Sequence, residues 1–359
     1  MNHRLGDLQK TLKGGQAILI SDPSWTEYYS GFVQLVHEER EAFLTITQTH
    51  STLLHAHFSP LPPSWNGATK AGVSATAVER HLADIVQTEN VHEILIDEHS
   101  LTLAEYRAIE RVGASTSNTD MAKLWQQRMI KDVQEQANIA QAAQQTSQAA
   151  QRIQAELRPG ISEQHLAEML AETGRLLGAH QLAFPTIVAF GEHSALPHHQ
   201  PTDKVLEENM AVLIDFGLKH NGYCADMTRS FWFGNNPPPR YTQIEIAVKD
   251  AYKKAMALLG SGSTITAADV DRAARDHLAK LGFRKEFIHT TGHGLGLSIH
   301  EPPSLNQNNP TEIKPGMCIT IEPGLYREGL FGYRWENTLL LATNAPVELT
   351  VDQDKTPRS

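Results

Sequence analysis

Four acidic residues of this chain stand where an apolar core would ordinarily be. Asp215 follows Val212-Leu213-Ile214, Asp226 follows Tyr223-Cys224-Ala225, Glu322 follows Ile319-Thr320-Ile321, and Glu336 follows Tyr333-Arg334-Trp335. His293 joins them from the glycine-rich stretch Thr291-Gly292-His293-Gly294-Leu295-Gly296. The apolar and β-branched flanks read as strands. Carboxylates on such strands are costly to bury unless a cation neutralises them. A fold for this chain must therefore gather these groups round positive charge.

Asp215 and Asp226 read as the two arms of one hairpin, joined by the polar turn Lys219-His220-Asn221-Gly222. With the turn centred near Asn221-Gly222 the two aspartates come close to facing each other, about 4.5–5.5 Å apart at Cβ. Like charges at that spacing repel, so one carboxyl keeps its proton or a divalent ion sits between them. Strand alternation places Arg334 with Glu336 on one face, and Thr320 with Glu322 on one face. Pro323-Gly324 ends the strand at Glu322. Carboxylates with a single histidine suit hard or borderline divalent ions such as Mn, Co, Fe(II) or Zn. Two ions about 3.5–4 Å apart, bridged by carboxylates, hold a hydroxide that is a nucleophile near neutral pH. Structural zinc takes closed Cys/His sets instead, and this chain supplies none. Cys224 and Cys318 fall in buried-looking strands and indicate no disulfide framework. Cys224 shares strand parity with Asp226, which makes it a further candidate ligand; the other reading is a small residue filling space beside crowded carboxylates.

A chain of 359 residues is too long for one ordinary core and is expected to form two domains. No apolar run approaches the roughly 20 residues that span a membrane, and Met1-Asn2-His3-Arg4-Leu5-Gly6-Asp7 lacks the apolar core of a signal peptide. The expected location is the cytoplasm. The net charge of −10, without a Lys/Arg stripe, argues against nucleic acid as a main partner, and no membrane partner is expected. Residues 1–121 read as a small α/β domain. Helical spacing runs from Leu5 to Leu12, strands are expected at Ala17–Ile20, Ala42–Thr47 and Glu93–Asp97, and a helix from Leu101 to Arg111. His50, His55 and His57 read as scattered surface histidines. Residues 122–359 read as an α+β domain. One long Ala/Gln-rich helix is expected from Lys123 to Leu157, stopped by Arg158-Pro159-Gly160. Ser162 caps a second helix that ends near Gly178. Thr242 with Glu245 forms a capping-box pattern for a third helix reaching Leu259, and Thr266 with Asp269 for a fourth closed by Gly282. Helix pairs alternating with antiparallel strands suggest two related halves.

These blocks resemble the pita-bread metallopeptidases, the group of creatinase, prolidase, aminopeptidase P and methionine aminopeptidase. The resemblance runs from about Lys123 to Leu341. It rests on Ser194-Ala195-Leu196-Pro197-His198, Leu213 through Asp226 to Arg229, Thr291–Gly296 with His300-Glu301, Ile321-Glu322-Pro323-Gly324, and Arg334-Trp335-Glu336-Asn337. In the first domain, Trp25-Thr26-Glu27-Tyr28-Tyr29-Ser30-Gly31-Phe32 is similar to the tyrosine-glycine-phenylalanine segment of the creatinase-type N-terminal domain. The fold this implies is α+β, a small creatinase-type domain followed by a pita-bread catalytic domain. The resemblance implies two divalent ions, Mn first, with Co, Zn or Fe as alternatives. Asp215 would hold one ion, His293 and Glu322 the other, and Asp226 and Glu336 would bridge them. His198 matches the histidine that contacts substrate, with its neighbour His199 as the alternative. His300 matches a second active-site histidine, and Arg334 the arginine beside the bridging glutamate. Glu322, lying next to the bridging water, is the candidate to carry a proton to the leaving amine. Trp335 and Asn337 depart from the isoleucine and aspartate common in the group, though the Arg-Xaa-Glu-Asn version occurs in aminopeptidase P-like sequences.

The implied activity is hydrolysis of an Xaa-Pro bond at a peptide N-terminus, as in aminopeptidase P, by a homodimer acting on proline-containing peptides. The Xaa-Pro dipeptidase (prolidase) is the close alternative. Methionine aminopeptidase generally lacks such a first domain, and creatinase chemistry is a further member of the group. A metal-free binding module is the reading from another class; retention of all five ligand positions and both histidines argues against it.

Overall fold

The computed structural model describes residues 3–35 and 39–351. Met1 and Asn2 of the N-terminal stretch, and residues 352–359 of the expected catalytic domain, lie outside the described residues. The chain divides into two units, Met1–Gln127 and Arg128–Ser359. No described helix is long and apolar enough to cross a membrane.

A six-stranded sheet organises the first unit, built from β1 (Gln16–Ile20), β2 (Ala42–Thr47), β3 (Ser51–His55), β4 (Ala68–Ala71), β5 (Glu93–Ile96) and β6 (Ser115–Asn118) in the order β4-β3-β2-β1-β5-β6. β1 pairs antiparallel with β2 and parallel with β5, so the sheet is mixed. Helices α1 (His3–Thr11), α2 (Pro23–Ser30), α3 (Ala75–Thr88) and α4 (Leu103–Glu110) accompany it. α2 carries most of the Trp25–Phe32 segment. The Asp22 carboxylate accepts from the Trp25 amide, Pro23 pre-sets the first turn, and Gly31 closes the helix at φ 76°.

The single helix expected over Lys123–Leu157 is two, α5 (Met121–Met129) and α6 (Val133–Glu156). Asp132 makes the break. Its carboxylate accepts from the Gln134 and Glu135 amides while the Glu135 side chain accepts from the Asp132 amide. That reciprocal cap satisfies orphan donors that a continuous helix would not leave, and it overrides the helix-favouring composition on either side. Ser162 does cap α7 (Glu163–Leu176), and Thr266 with Asp269 caps α9 (Ala267–Lys280). The third helix, α8 (Pro239–Leu259), begins ahead of Thr242 rather than after it, because Pro239 occupies the first helical position with its φ already set. Thr242 and Glu245 are therefore interior residues and form no capping box.

Thirteen strands complete the second unit among the described residues: β7 (Gln181–Leu182), β8 (Ile187–Phe190), β9 (Met210–Phe216), β10 (Leu218–His220), β11 (Tyr223–Cys224), β12 (Met227–Phe233), β13 (Gly292–Gly294), β14 (Glu301–Leu305), β15 (Cys318–Ile321), β16 (Gly324–Arg327), β17 (Phe331–Arg334), β18 (Asn337–Leu341) and β19 (Pro346–Glu348). They form sheets ordered β12-β9-β8, β11-β10-β7, β14-β13-β15-β18-β19 and β16-β17. Each helix pair covers its own strands. Ile153 of α6 and Leu166 and Leu170 of α7 pack with Val188, Val212 and Ile214. Tyr252 of α8 and Val270 of α9 pack with Ile319, Ile321 and Leu339. Both helix pairs thus bury one apolar stripe against a sheet, as the alternation in the sequence suggests.

Candidate metal centre

Two interrupted hairpins carry the acidic residues. In the first, β9 pairs with β12 so that Phe216 faces Met227 and Asp215 faces Thr228. Beyond it, β10 pairs with β11 in the same register, Lys219 facing Cys224. Continuing that register puts Asp226 opposite Gly217, not opposite Asp215 as expected. The aspartates are diagonal neighbours on one face, separated by the break between the two short sheets. Gly217 makes the break possible: a Cβ there would lie 1.9 Å from the Ala225 carbonyl oxygen.

The second hairpin breaks in the same manner. Ile321 of β15 faces Asn337 of β18, and Gly324 of β16 faces Arg334 of β17. One register spans both pairs, so the interruptions Glu322-Pro323 and Trp335-Glu336 lie opposite each other, with Glu322 facing Glu336. The Trp335 amide still donates to the Pro323 carbonyl, 3.2 Å away. Pro323 cannot donate to a ladder, which helps end β15 there. Arg334 and Glu336 therefore do not share one strand; Arg334 closes β17 and Glu336 precedes β18. Both still reach the site because the chain bends between them. β13 brings His293 between β14 and β15. A Cβ at Gly292 would lie 2.1 Å from the Thr320 carbonyl oxygen, so the glycine next to His293 is there for close packing of strands.

The five side chains converge. Ligand atoms of Asp226, His293 and Glu336 lie within 4.8 Å of one another, all three residues buried. His293 Nε2 is 3.4 Å from Glu322 Oε1 and 3.7 Å from Asp226 Oδ2. Its other nitrogen, Nδ1, donates to the Gly294 carbonyl at 3.0 Å, and burial holds the imidazole pKa below its usual value. A neutral ring with its proton on Nδ1 turns an Nε2 lone pair toward carboxylate oxygens. That contact is repulsive unless a cation lies between.

The carboxylates show the same demand. Arg334 Nη2 donates to Asp215 Oδ2 at 2.5 Å, and Thr228 Oγ1 donates to Glu336 Oε2 at 2.6 Å. The remaining oxygens, Asp215 Oδ1, Asp226 Oδ1 and Glu336 Oε1, are buried and have no hydrogen-bond partner among the described residues. Buried acceptors are seldom left unmatched. Burial, then the charges of Glu336, Asp215 and Glu322, push the Asp226 carboxyl well above the carboxylate range. Burial, then Glu322 and Asp215, do the same to Glu336. Three orphaned oxygens and one imidazole lone pair in a polar, oxygen-rich nest are the donor set that hard or borderline divalent ions take. The residues present fit a metal centre.

The surroundings hold these groups in place. Arg334 also donates to the Tyr326 hydroxyl from Nη1 at 2.6 Å and to Thr228 Oγ1 from Nε at 3.1 Å. Tyr326 in turn lies 2.9 Å from His289 Nε2, whose ring donates from Nδ1 to the Thr290 carbonyl. Burial, with Arg334 nearby, lowers the His289 pKa to about 4, so its ring is neutral and accepts the Tyr326 proton. Thr338 Oγ1 bonds both the amide and the carbonyl of Asp226. Thr228, Tyr326, His289 and Thr338 did not emerge from the sequence. Thr228 had one usable signal, its place across the hairpin from Asp215; the others meet the site only through tertiary packing.

A cavity of about 1220 Å³ opens onto Asp215, Asp226, His293, Glu322, Arg334 and Glu336. His198 and His300 line it, with Phe184, Ile187 and Ile299 among the apolar walls. The His300 ring meets His293 edge to face at 4.5 Å. His199, the neighbour of His198, also borders the cavity, but its ring is buried and turned to Glu163, 2.8 Å away. Cys224 Sγ points to the Leu297 carbonyl at 3.6 Å, and the buried Cys318 thiol is pushed up to about 12.

Comparison with known proteins agrees with this geometry. The family model described as metallopeptidase family M24 matches residues 137–343. An uncharacterized peptidase of Bacillus subtilis is 33% identical over 269 residues, 75% of this chain and 75% of the relative. One from Staphylococcus saprophyticus is 30% identical over 358 residues, 97% and 99% of the two chains. Among solved structures, an Xaa-Pro dipeptidase from Bacillus anthracis superposes with a TM-score of 0.86 at 27% identity, covering 99% of this chain and 97% of that one. An X-Pro aminopeptidase from Thermotoga maritima gives 0.83 at 28%, covering 98% and 99%. The family model spans more than half of the chain and the solved structures match both units, and the chain belongs to the pita-bread metallopeptidases of family M24.

Proposed function

We propose that this protein is a two-metal exopeptidase that cleaves the Xaa-Pro bond at the N-terminus of peptides. The observation that carries the reading is the set of three buried carboxylate oxygens, on Asp215, Asp226 and Glu336, that have no hydrogen-bond partner among the described residues. Asp215, Asp226, His293, Glu322 and Glu336 would hold the ions, with Mn the proposed metal. Two divalent ions there would supply charge neutralisation, Lewis acidity and an activated water near neutral pH. A metal-free binding module would leave the three oxygens without purpose.

The remaining roles fall to side chains that face the cavity. His198 and His300, which line the cavity, would hold the substrate carbonyl and steady the negative charge that develops on it. Arg334 keeps Asp215 fixed through one oxygen and leaves the other open. Glu322 carries the proton to the departing amine. An imide nitrogen has no N–H to donate and fixes its φ angle, so the pocket must recognise proline by shape. The apolar walls at Phe184, Ile187 and Ile299 suit its ring.

The names of the solved relatives support Xaa-Pro substrates. The Ser194–His198 and Arg334–Asn337 blocks, which resemble aminopeptidase P, favour the aminopeptidase form; the dipeptidase reading draws on the Bacillus anthracis relative. The test is hydrolysis of Xaa-Pro and Xaa-Pro-Yaa peptides after chelation and reloading with Mn, Co or Zn. Faster turnover of the longer peptide supports the aminopeptidase form. Turnover restricted to the dipeptide replaces it with the dipeptidase form, and turnover that survives chelation with the metal removed overturns the reading.

A further inference from the structure

A second histidine and carboxylate cluster lies outside the metal centre. Glu163, the first residue of α7, has no solvent exposure. Its Oε1 accepts from the Phe190 amide at 2.8 Å and from His193 Nδ1 at 2.9 Å. Its Oε2 accepts from His199 Nε2 at 2.8 Å, and from the amide and hydroxyl of Thr202 at 3.0 and 2.7 Å. The ligand atoms of Glu163, His193 and His199 come within 4.8 Å of one another. A metal is nevertheless not what this cluster calls for. An ionised carboxylate only accepts, so both ring nitrogens turned to it carry protons rather than lone pairs.

What the cluster does is fix a segment. Phe190 ends β8, and residues 191–202 after it include a 3-10 turn, Gly191–Ala195, and otherwise lack regular structure. One carboxylate binds that segment at its start, at His193, at His199 and at its end. His198 sits between two of these anchors and points to the cavity. Its own imidazole has no side-chain hydrogen bond among the described residues, so its position is set by what holds its neighbours.

We propose that Glu163 is the positioning residue that keeps His198 in the cavity wall, acting through His193, His199 and Thr202 without touching substrate. The proposal rests on the role given to His198 above. Glutamine at this place keeps the size but offers one accepting oxygen, and it turns an NH2 toward groups that are themselves donors. Aspartate keeps the charge but is too short to reach both histidines.

The test is a double-mutant cycle on the metal-loaded enzyme with an Xaa-Pro peptide, reading kcat, KM and metal content. E163Q is expected to lower kcat by about 10–100-fold, the usual cost of losing a group that orients an active-site residue, while KM and metal content stay near those of the unaltered enzyme. E163D is expected to recover part of the loss. In an H198A background, E163Q is expected to add less than about twofold, because the two changes act on one group. Full turnover in E163Q, or losses that multiply independently in the double variant, would overturn the proposal. Full turnover in H198A would remove its premise as well, which separates failure of the reading from failure of the inference. Should E163Q fold poorly, T202V removes one donor and leaves the carboxylate, and a smaller loss of kcat that vanishes in the H198A background is then expected.

Discussion

Asp226, His293 and Glu336 at one end of the cavity, and Glu163, His193 and His199 beside it, look alike by residue type and spacing; each trio fits its ligand atoms within 4.8 Å. Their chemistry is opposite. Around Glu163 every partner is a donor, and five hydrogen bonds use both oxygens. Burial alone would raise that carboxyl, yet the bonds from His199, Phe190, Thr202 and His193 hold it below the usual range. Around Asp226 and Glu336 other acids crowd in, one oxygen of each stays unmatched despite the Thr228 bond to Glu336, and the carboxyls are driven up. Counting ligand-type residues does not separate the two clusters. Asking where each lone pair and proton goes does.

The difference can be broken most directly at Glu336. Glu336→Gln removes a charge that the ions need, and turnover is expected to fall by roughly a thousand-fold or more, about 4 kcal/mol of lost barrier lowering. Kinetics at saturating metal would show it; near-normal kcat would place the bridging role elsewhere. A third buried acid sharpens the contrast. Glu301 is held by Arg128 at 2.6 Å and Lys131 at 3.2 Å, all three almost without exposure. Glu301→Gln would take away the charged carboxylate that both buried cations share, and a loss of about 3–5 kcal/mol in urea unfolding is expected.

A smaller effect tests the sign itself. Applied to metal-free protein at neutral pH, the same kind of substitution should act in opposite directions on the two trios. Glu163→Gln is expected to cost about 1–3 kcal/mol, since donors lose their acceptor. Asp226→Asn is expected to raise stability, since it removes a carboxyl that burial and the charges of Glu336, Asp215 and Glu322 disfavour. Losses at both positions would mean that the acidic nest is not strained when empty. The smallest effect concerns acid. Glu301 and Glu163 are both held below the usual carboxylate range, Glu301 by Lys131, Arg128 and the Ser298 amide against the upward push of burial. A lowered pKa means that the folded state binds the proton less readily than the unfolded chain. Their stabilisation is therefore complete above the unfolded value of about 4.3 and fades as pH falls through the folded values. Unfolding midpoints between about pH 5 and pH 3 should drop less steeply in Glu163→Gln than in the unaltered protein.

Much of this arrangement was legible in the residues. Acids inside apolar strands are conspicuous because solvation makes them costly, so Asp215, Asp226, Glu322 and Glu336 could be picked out together, and the caps at Ser162 and Thr266 are local hydrogen bonds that local sequence encodes. Register was harder. The turn at Asn221-Gly222 was read correctly, and that centre by itself sets Asp226 across from Gly217 rather than Asp215; what only the folded chain reveals is the close backbone approach that breaks the hairpin at Gly217. Asp132 was hidden in a helix-favouring run because composition averages over the one residue that breaks it. Glu163 was invisible for a deeper reason. Near its N-cap it looks like any acid in the first turn of a helix, and its four partner residues are gathered from a stretch some thirty residues downstream.

The bend in the second hairpin has one more outcome. Glu322 and Glu336 occupy the elbow at which that hairpin leaves a five-stranded sheet and enters a two-stranded one. Whatever is gripped across the elbow also sets the angle between forearm and upper arm, and the forearm carries Arg334 to the cavity edge. A peptide bound on one side and a cation on the other would then be coupled through the main chain, each changing the affinity for its counterpart by the same factor.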